Sequence, residues 1–349
     1  MNGTVGGVDA IDDGVTLMVL EDYEGDDLDV LNIEDYRAKL GEDDTEQPEV
    51  VAFYNEVGGN TRLIITGGEQ TEATLKAKLS QYQGEFKLVL INEVADLTTA
   101  KMYNTVAEWA TTTLYAPILV LMQANDTFIG NVTDFKTLNL AHLAVVDNVK
   151  DIDGTPLLYY VGGRLARNQV HRSIAAVRDG AIYATELYHG DSLIDNLYAE
   201  PKHNKGLITA RVYVGKSGYY FSDDLMAMAA TDDYALIPRR RTIDKAYRIA
   251  YKTLVDYLGA QLPVTKAGTI PVATCKDIET TVERAIYADM TVNGNLGTDS
   301  SDSDDTGVTC FINPEQDVVR TSKLEVTLKV RPYGYIKDIE VALGFSTEA

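Results

Sequence analysis

Four short apolar runs constrain this chain more than any other feature: Lys87-Leu-Val-Leu-Ile91, Pro117-Ile-Leu-Val-Leu-Met122, His142-Leu-Ala-Val-Val146 and Leu157-Leu-Tyr-Tyr-Val161. A strand with one wet face alternates apolar and polar residues, whereas a run that is apolar at every position needs cover on both faces. The first two runs are separated by helical residues, Thr98 to Thr112. The pattern predicts an α/β fold of mixed α+β character, built on an open sheet covered on both faces. Such a sheet is a scaffold for many functions, so function has to be argued from other residues.

Upstream, Val15-Thr-Leu-Met-Val-Leu20 reads as a strand behind a glycine-containing arm. Asn32 to Gly41 carries a capping residue, an acidic first turn, a basic last turn and a closing glycine, which predicts a short surface helix. Val50 to Gly59 reads as a second helix ended by glycine, and Arg62 to Thr66 as the strand after it. Downstream, helical spacing predicts amphipathic helices over Arg164 to Arg178, Asp244 to Leu258 and Lys276 to Met290. Leu207 to Val214, a Gly215-Lys-Ser-Gly218 turn and Tyr219 to Phe221 read as a hairpin, and Asn293 to Gly307 as a polar loop.

Two more strands are expected at the end. Leu324, Val326, Leu328 and Val330 alternate with charged or polar residues, Ile339, Val341, Leu343 and Phe345 lie opposite Asp338, Glu340 and Ala342, and Pro332-Tyr-Gly334 separates the two sets. A terminal strand either joins its own sheet or pairs with another chain.

With 349 residues, 45% of them hydrophobic, the chain has enough apolar surface for two or three structural units. Its formal net charge of -22 argues against general affinity for nucleic acid or anionic membrane. The start has neither a basic nor an apolar leader region, and no apolar run approaches the roughly 20 residues of a membrane span; synthesis in the cytoplasm is expected. Two cysteines, Cys275 and Cys310, are expected to be free thiols.

Few residues of the chain carry a pattern of reactive chemistry. Gly215-Lys216-Ser217 lacks the upstream glycine of a phosphate loop, having Ala210 there, and Gly162-Gly163 lacks the rest of a dinucleotide fingerprint and reads as close packing. His142, His171, His189 and His203 show no metal-ligand spacing. Asp302, Asp304, Thr306 and Gly307 imitate the start of a calcium loop, but Asn313 stands where a bidentate glutamate belongs. The pairs Asp223-Asp224 and Asp232-Asp233 read as helix-start or turn carboxylates rather than acid-base machinery. No catalytic, cofactor or metal site is expected. The conspicuous cluster is basic: Arg239, Arg240 and Arg241, continuing into Lys245, Arg248 and Lys252 at helical intervals. In so acidic a chain it is a candidate contact with an acidic surface outside the subunit, another copy or an enclosed partner, with intramolecular pairing as the plain alternative.

The order of these features resembles the contractile tail sheath family of phage tails and related injection machines, in a short form. The resemblance is carried by Ile33-Glu-Asp-Tyr-Arg-Ala-Lys-Leu-Gly41, Ala52-Phe-Tyr-Asn-Glu-Val-Gly-Gly-Asn-Thr-Arg-Leu-Ile-Ile65, Arg240-Arg-Thr-Ile-Asp-Lys-Ala-Tyr-Arg-Ile-Ala-Tyr251 and Phe311-Ile-Asn-Pro-Glu-Gln-Asp-Val-Val-Arg320 leading into the terminal strands. It implies a sheath-like core with terminal strands exchanged between subunits, polymerised as stacked rings or a helix around an inner tube, with contraction driving the tube through a target envelope. The implied partners are further copies of the chain, an inner tail tube protein, and baseplate and tail terminator proteins, with no nucleic acid, no direct membrane insertion, no cofactor and no catalytic residue. The implied setting is the bacterial host cytoplasm during assembly and the tail or particle afterwards. Long inserted outer domains are missing. Expected units are an arm and first strand (1–20), an α/β region (21–206), a sheath-like core (207–334) and a terminal arm strand (335–349). On this reading Val15, Leu17, Val19, Leu324, Val326, Leu328, Val330, Ile339, Val341, Leu343 and Phe345 supply core or inter-subunit strands. The rival readings are an α/β enzyme using the scattered carboxylates, and a non-contractile tail or baseplate component.

Overall fold

The computed structural model describes residues 13–41, 45–337 and 339–342. Its first half comprises β1 (Thr16–Leu20), β2 (Leu28–Val30), α1 (Ile33–Lys39), α2 (Pro48–Val57), β3 (Leu63–Gly67), α3 (Glu72–Gln81), β4 (Leu88–Val94), α4 (Leu97–Thr113), β5 (Leu119–Ala124), α5 (Asp126–Asn131) and β6 (Leu143–Val146). The sheet order is β2-β3-β1-β4-β5-β6, with β3, β1, β4, β5 and β6 parallel and β2 antiparallel at one edge.

The apolar runs are explained by the two cores. Met18, Leu20, Leu63, Ile65, Leu88, Leu90, Leu119 and Leu121 pack on one face with Val50, Phe53 and Val57 of α2. Leu17, Val19, Ile64, Val89, Ile91, Val120 and Met122 pack on the other with Leu75 and Leu79 of α3 and Ala100, Val106 and Ala107 of α4. Alternate residues point to opposite faces, and each face meets helices, so no position in these strands can be polar without cost. The expected short helices form as read: Asn32 Oδ1 accepts the Asp35 N–H at 2.8 Å to start α1, and Gly58, with φ +64°, ends α2.

The next segment holds β7 (Lys150–Asp151), α6 (Leu157–Arg167), β8 (Leu187–His189), β9 (Ser192–Leu193), α7 (Asn196–Asn204), β10 (Ala210–Arg211) and β11 (Tyr220–Phe221). Here two expectations fail. The fourth apolar run, Leu157 to Val161, is the first half of α6 and not a strand; five apolar residues fit a buried helix as well as a buried strand. The helix expected over Arg164 to Arg178 stops at Arg167. Arg164, 2% exposed, turns inward to Glu56 at 2.7 Å and donates to the Ala181 carbonyl at 2.8 Å, so the chain beyond Asn168 must fold back to bring that carbonyl to it. The hairpin over 207–221 narrows to the β10–β11 pair.

The expected division at 206/207 runs between residues that share one core, because Ile208, Ala210 and Phe221 pack with the first face of the large sheet. The later unit consists of α8 (Ile237–Leu254), α9 (Val272–Ile286), β12 (Val308–Ile312), α10 (Val318–Thr321) and β13 (Val326–Val330). The helix expected from Asp244 begins seven residues earlier, with Pro238 in its first turn. Ala246, Ile249 and Ala250 of α8, Val282 and Ile286 of α9, and Val308 and Cys310 of β12 form its core, against which Val326, Leu328 and Val330 pack. Cys275 and Cys310 are free and buried. Among the described residues no helix is long and apolar enough to cross a membrane.

The Gly162-Gly163 pair lies inside α6, where it lets the helix approach two neighbours. A Cβ at Gly162 would meet Leu90 Cδ1 at 2.6 Å, and one at Gly163 would overlap the Phe53 carbonyl of α2. A leucine methyl can move and a helix carbonyl cannot do so cheaply. Gly163→Ala is therefore expected to destabilise the protein by about 1–3 kcal/mol, and Gly162→Ala by less, measured by urea denaturation; equal stability of Gly163→Ala and the parent would refute this packing.

Candidate inter-subunit site

The residues singled out by sequence fall into three groups. Leu17 and Val19 lie in β1 and Val15 immediately before it, and β1 is paired on both sides, with β3 and β4. The inter-subunit role expected of Val15, Leu17 and Val19 is thereby corrected: a strand with both edges occupied inside its own sheet has no backbone groups to offer another chain.

The basic helix α8 is largely engaged inside the subunit. Arg240 donates to Asp244 at 3.0 and 2.5 Å, one turn along the helix. Arg241 donates to the carbonyls of Asn168 at 3.3 Å and Asp13 at 3.1 Å. The Asp13 carboxylate lies 2.9 Å from Lys245 Nζ and 3.1 Å from Arg248 Nη2, and Arg248 also donates to the Pro117 carbonyl at 3.1 Å. These cations tie the residue ahead of β1 to the later unit. Arg239 is half-buried and Lys252 is exposed, so Lys252 is the member of the set placed for an outside partner. Three carboxylates of the acidic stretch from Glu21 to Glu49, those of Asp27, Asp29 and Glu46, pair elsewhere in the subunit, with Lys78 at 2.7 Å, Arg62 at 2.7 Å and Arg37 at 2.7 Å.

The third group is the C-terminal hairpin and arm. β13 pairs antiparallel with β12, from Val308↔Val330 to Ile312↔Val326. Val326, Leu328 and Val330 turn their side chains to the core while Thr327 and Lys329 stay exposed, and Leu324 is half-buried against Ile270 and Ile278. Beyond Pro332 the chain is held again. The Tyr333 ring lies tilted against that of His171, centroids 5.1 Å apart, and Tyr335 donates to the His171 carbonyl at 2.6 Å. Lys337 reaches Asp223 and, at 2.8 Å, Asp224. Burial pushes both carboxyls up; the ammonium overcomes this at Asp223, which ends below the ordinary carboxylate range, but not at fully buried Asp224, which ends above it. Desolvation opposes the charge on Lys337, yet the two aspartates hold its pKa above the ordinary lysine value. The paired aspartates thus anchor the arm. That contact joins residues 113 apart in sequence, and no local pattern announced it.

Past the anchor, Ile339 and Val341 are 82% and 73% exposed, and no strand forms over residues 339–342. Leu343 and Phe345 lie outside the described residues. The point at which the arm leaves the subunit is therefore Lys337, not the Pro332-Tyr-Gly334 break.

Elsewhere, a cleft of about 550 Å³ at the carboxyl ends of β5 and β6 is lined by Asp126, Asn148, Lys150, Asp151 and Asp191. Three of its charges have partners: Asp126 with His189 at 2.9 Å, Lys150 with Glu93 at 3.5 Å, and Asp151, which accepts from the Tyr160 hydroxyl at 2.5 Å and the Thr155 N–H at 2.8 Å.

Comparison with protein families gives two successive matches, the DUF2586 N-terminal domain over residues 1–225 and the DUF2586 C-terminal domain over residues 233–349. The chain belongs to the DUF2586 family. No curated protein matches the sequence of this DUF2586 chain. Its fold is that of contractile sheath proteins. The helical sheath of the anti-feeding prophage in its contracted state superposes with a TM-score of 0.66 at 16% identity, over 96% of this chain and 92% of that one. The contracted sheath complex of the extracellular contractile injection system PVC gives 0.64 at 12% identity, over 96% and 92%. The sheath tail protein from Listeria innocua gives 0.61 at 12% identity, over 91% and 92%. At such identities the likeness is one of fold, and it extends along nearly the whole DUF2586 chain.

The Asp13 clamp has a measurable consequence. Asp13, Lys245 and Arg248 have side chains only 8–12% exposed, so removing the carboxylate strands two buried cations. Asp13→Ala is expected to cost about 3 kcal/mol and to lower Tm, whereas Lys252→Glu leaves Tm within a degree or so of the parent. A thermal melt of Asp13→Ala that matches the parent would contradict the clamp.

Proposed function

We propose that this chain is the structural subunit of a contractile tail sheath, polymerising as stacked rings or a helix around an inner tube. The observation that carries the reading is a sheath fold along nearly the whole chain that ends in an arm whose Ile339 and Val341 have no apolar cover. Strand donation explains that exposure: backbone hydrogen bonds to another subunit would supply linkage, and the alternating apolar residues would set register. Neighbours of the same fold are components of sheaths solved in the contracted state, which supports contraction as the motion involved. Contraction would then move subunits as rigid bodies that stay joined through their arms. Inner tube, baseplate and tail terminator proteins are the proposed partners, assembly in the host cytoplasm the proposed setting, and a non-enzymatic role the proposed chemistry.

The anchor at Lys337 determines how the reading is tested. A cut after Gly334 would also remove Lys337 and leave Asp223 and Asp224 buried without their cation, confounding assembly with folding. Deleting residues 338–349 keeps the anchor. The truncated chain is expected to melt within a few degrees of the parent and to sediment as small species with no tubes by negative-stain electron microscopy; tubes of normal length and yield from it would defeat strand donation.

A further inference from the structure

The C-terminal hairpin has two outer edges, and they are not equivalent. On the β12 side, the Cys310 N–H donates to Glu283 at 2.8 Å and the Ile312 N–H donates to Glu279 at 2.8 Å. Both carboxylates come from α9, one turn apart. Four residues of helix rise about 6 Å and two residues of strand about 6.8 Å, so a helix running antiparallel beside β12 brings successive carboxylates to successive edge amides. The next edge position is Pro314, which has no N–H, and on the other flank the Val308 carbonyl accepts from the Thr306 hydroxyl at 3.2 Å. Glu279 is 3% exposed and is held by Lys276 at 2.5 Å. Burial opposes its ionisation, but Lys276 and the Ile312 N–H outweigh this and keep its carboxyl below the ordinary range.

In an antiparallel ladder, residues that turn their backbone outward on one strand lie opposite residues that turn outward on the other. Cys310 and Ile312 send their amides away from β13, so their partners Leu328 and Val326 present N–H and C=O groups on the far edge of β13. No comparable row of carboxylates meets that edge among the described residues.

We infer that Glu279 and Glu283 are edge-guarding residues that close the β12 side of the hairpin to strand addition, so that an arm from a second copy of this chain is received at the outer edge of β13. The choice of occupant rests on the sheath reading, through the uncovered Ile339 and Val341 of the arm; the guard itself rests on the subunit alone. The device gives the hairpin one acceptor side, which fixes the direction in which the linkage can grow and denies other exposed strands a second template.

Two measurements test it. In the isolated subunit, hydrogen exchange at the Cys310 and Ile312 amides is expected to rise at least tenfold in Glu279→Ala/Glu283→Ala and to stay near the parent in Glu279→Gln/Glu283→Gln, whose amide oxygens still accept. Glu283→Ala alone, which removes only the half-buried carboxylate, speeds Cys310 and spares Ile312, so the test survives if the double variant folds poorly. Unchanged exchange overturns the guard. In assembled protein, Ala342→Cys is expected to form a disulfide with Thr327→Cys or Lys329→Cys of β13 under mild oxidation. Thr309→Cys of β12, about two strand spacings or 10 Å away, stays free, and a Thr309 crosslink in the otherwise native chain overturns the inference. Exchange that responds as expected with no crosslink to either strand refutes arm donation and leaves the guard standing.

Discussion

The backbone groups along a strand edge set the terms for the rest of this molecule. Water can satisfy them in a free subunit, a side chain can cap them, or another strand can pair with them, and the three solutions lead to a monomer, a closed edge and a polymer. The large sheet leaves little choice, since β1, β3, β4 and β5 each have neighbours on both sides and helices on both faces. The small C-terminal sheet is different. It has two strands, one edge met by glutamates of α9 and the other, among the described residues, free of them, and it stands in a chain whose last described segment exposes Ile339 and Val341.

Around that sheet the subunit is clamped by charge. Asp13 binds Lys245 and Arg248, Glu56 binds Arg164, and Asp223 with Asp224 binds Lys337. Each contact joins segments far apart in sequence, and each would leave a buried charge if broken, which makes separation of the segments costly. A chain with a net charge of -22 uses its scarce cations for internal joints. The result is a body whose distant segments are pinned together by ion pairs, the last of them at Lys337.

What could be read from sequence follows from how far apart the interacting residues lie. The runs over Lys87, Pro117 and His142 were legible as strands because burial on both faces writes itself into consecutive residues. Leu157 to Val161 was not, because the helix it starts is specified by contacts with Leu90 and Phe53 that no local period records. The basic stripe of α8 was visible as a pattern, but its partner Asp13 lies 235 residues before Arg248, so its inward direction was hidden. The i, i+4 glutamates of α9 and the alternation around Cys310 were each present in the chain, and only their juxtaposition shows that one caps the other.

Direct imaging of the purified full-length protein by electron microscopy over a range of concentrations tests the central claim most directly. The account predicts tubes or stacked rings on a helical lattice, with strand density passing from each subunit to the β13 edge of another. A small closed oligomer at every concentration, with each C-terminal segment folded onto its own subunit, would contradict it.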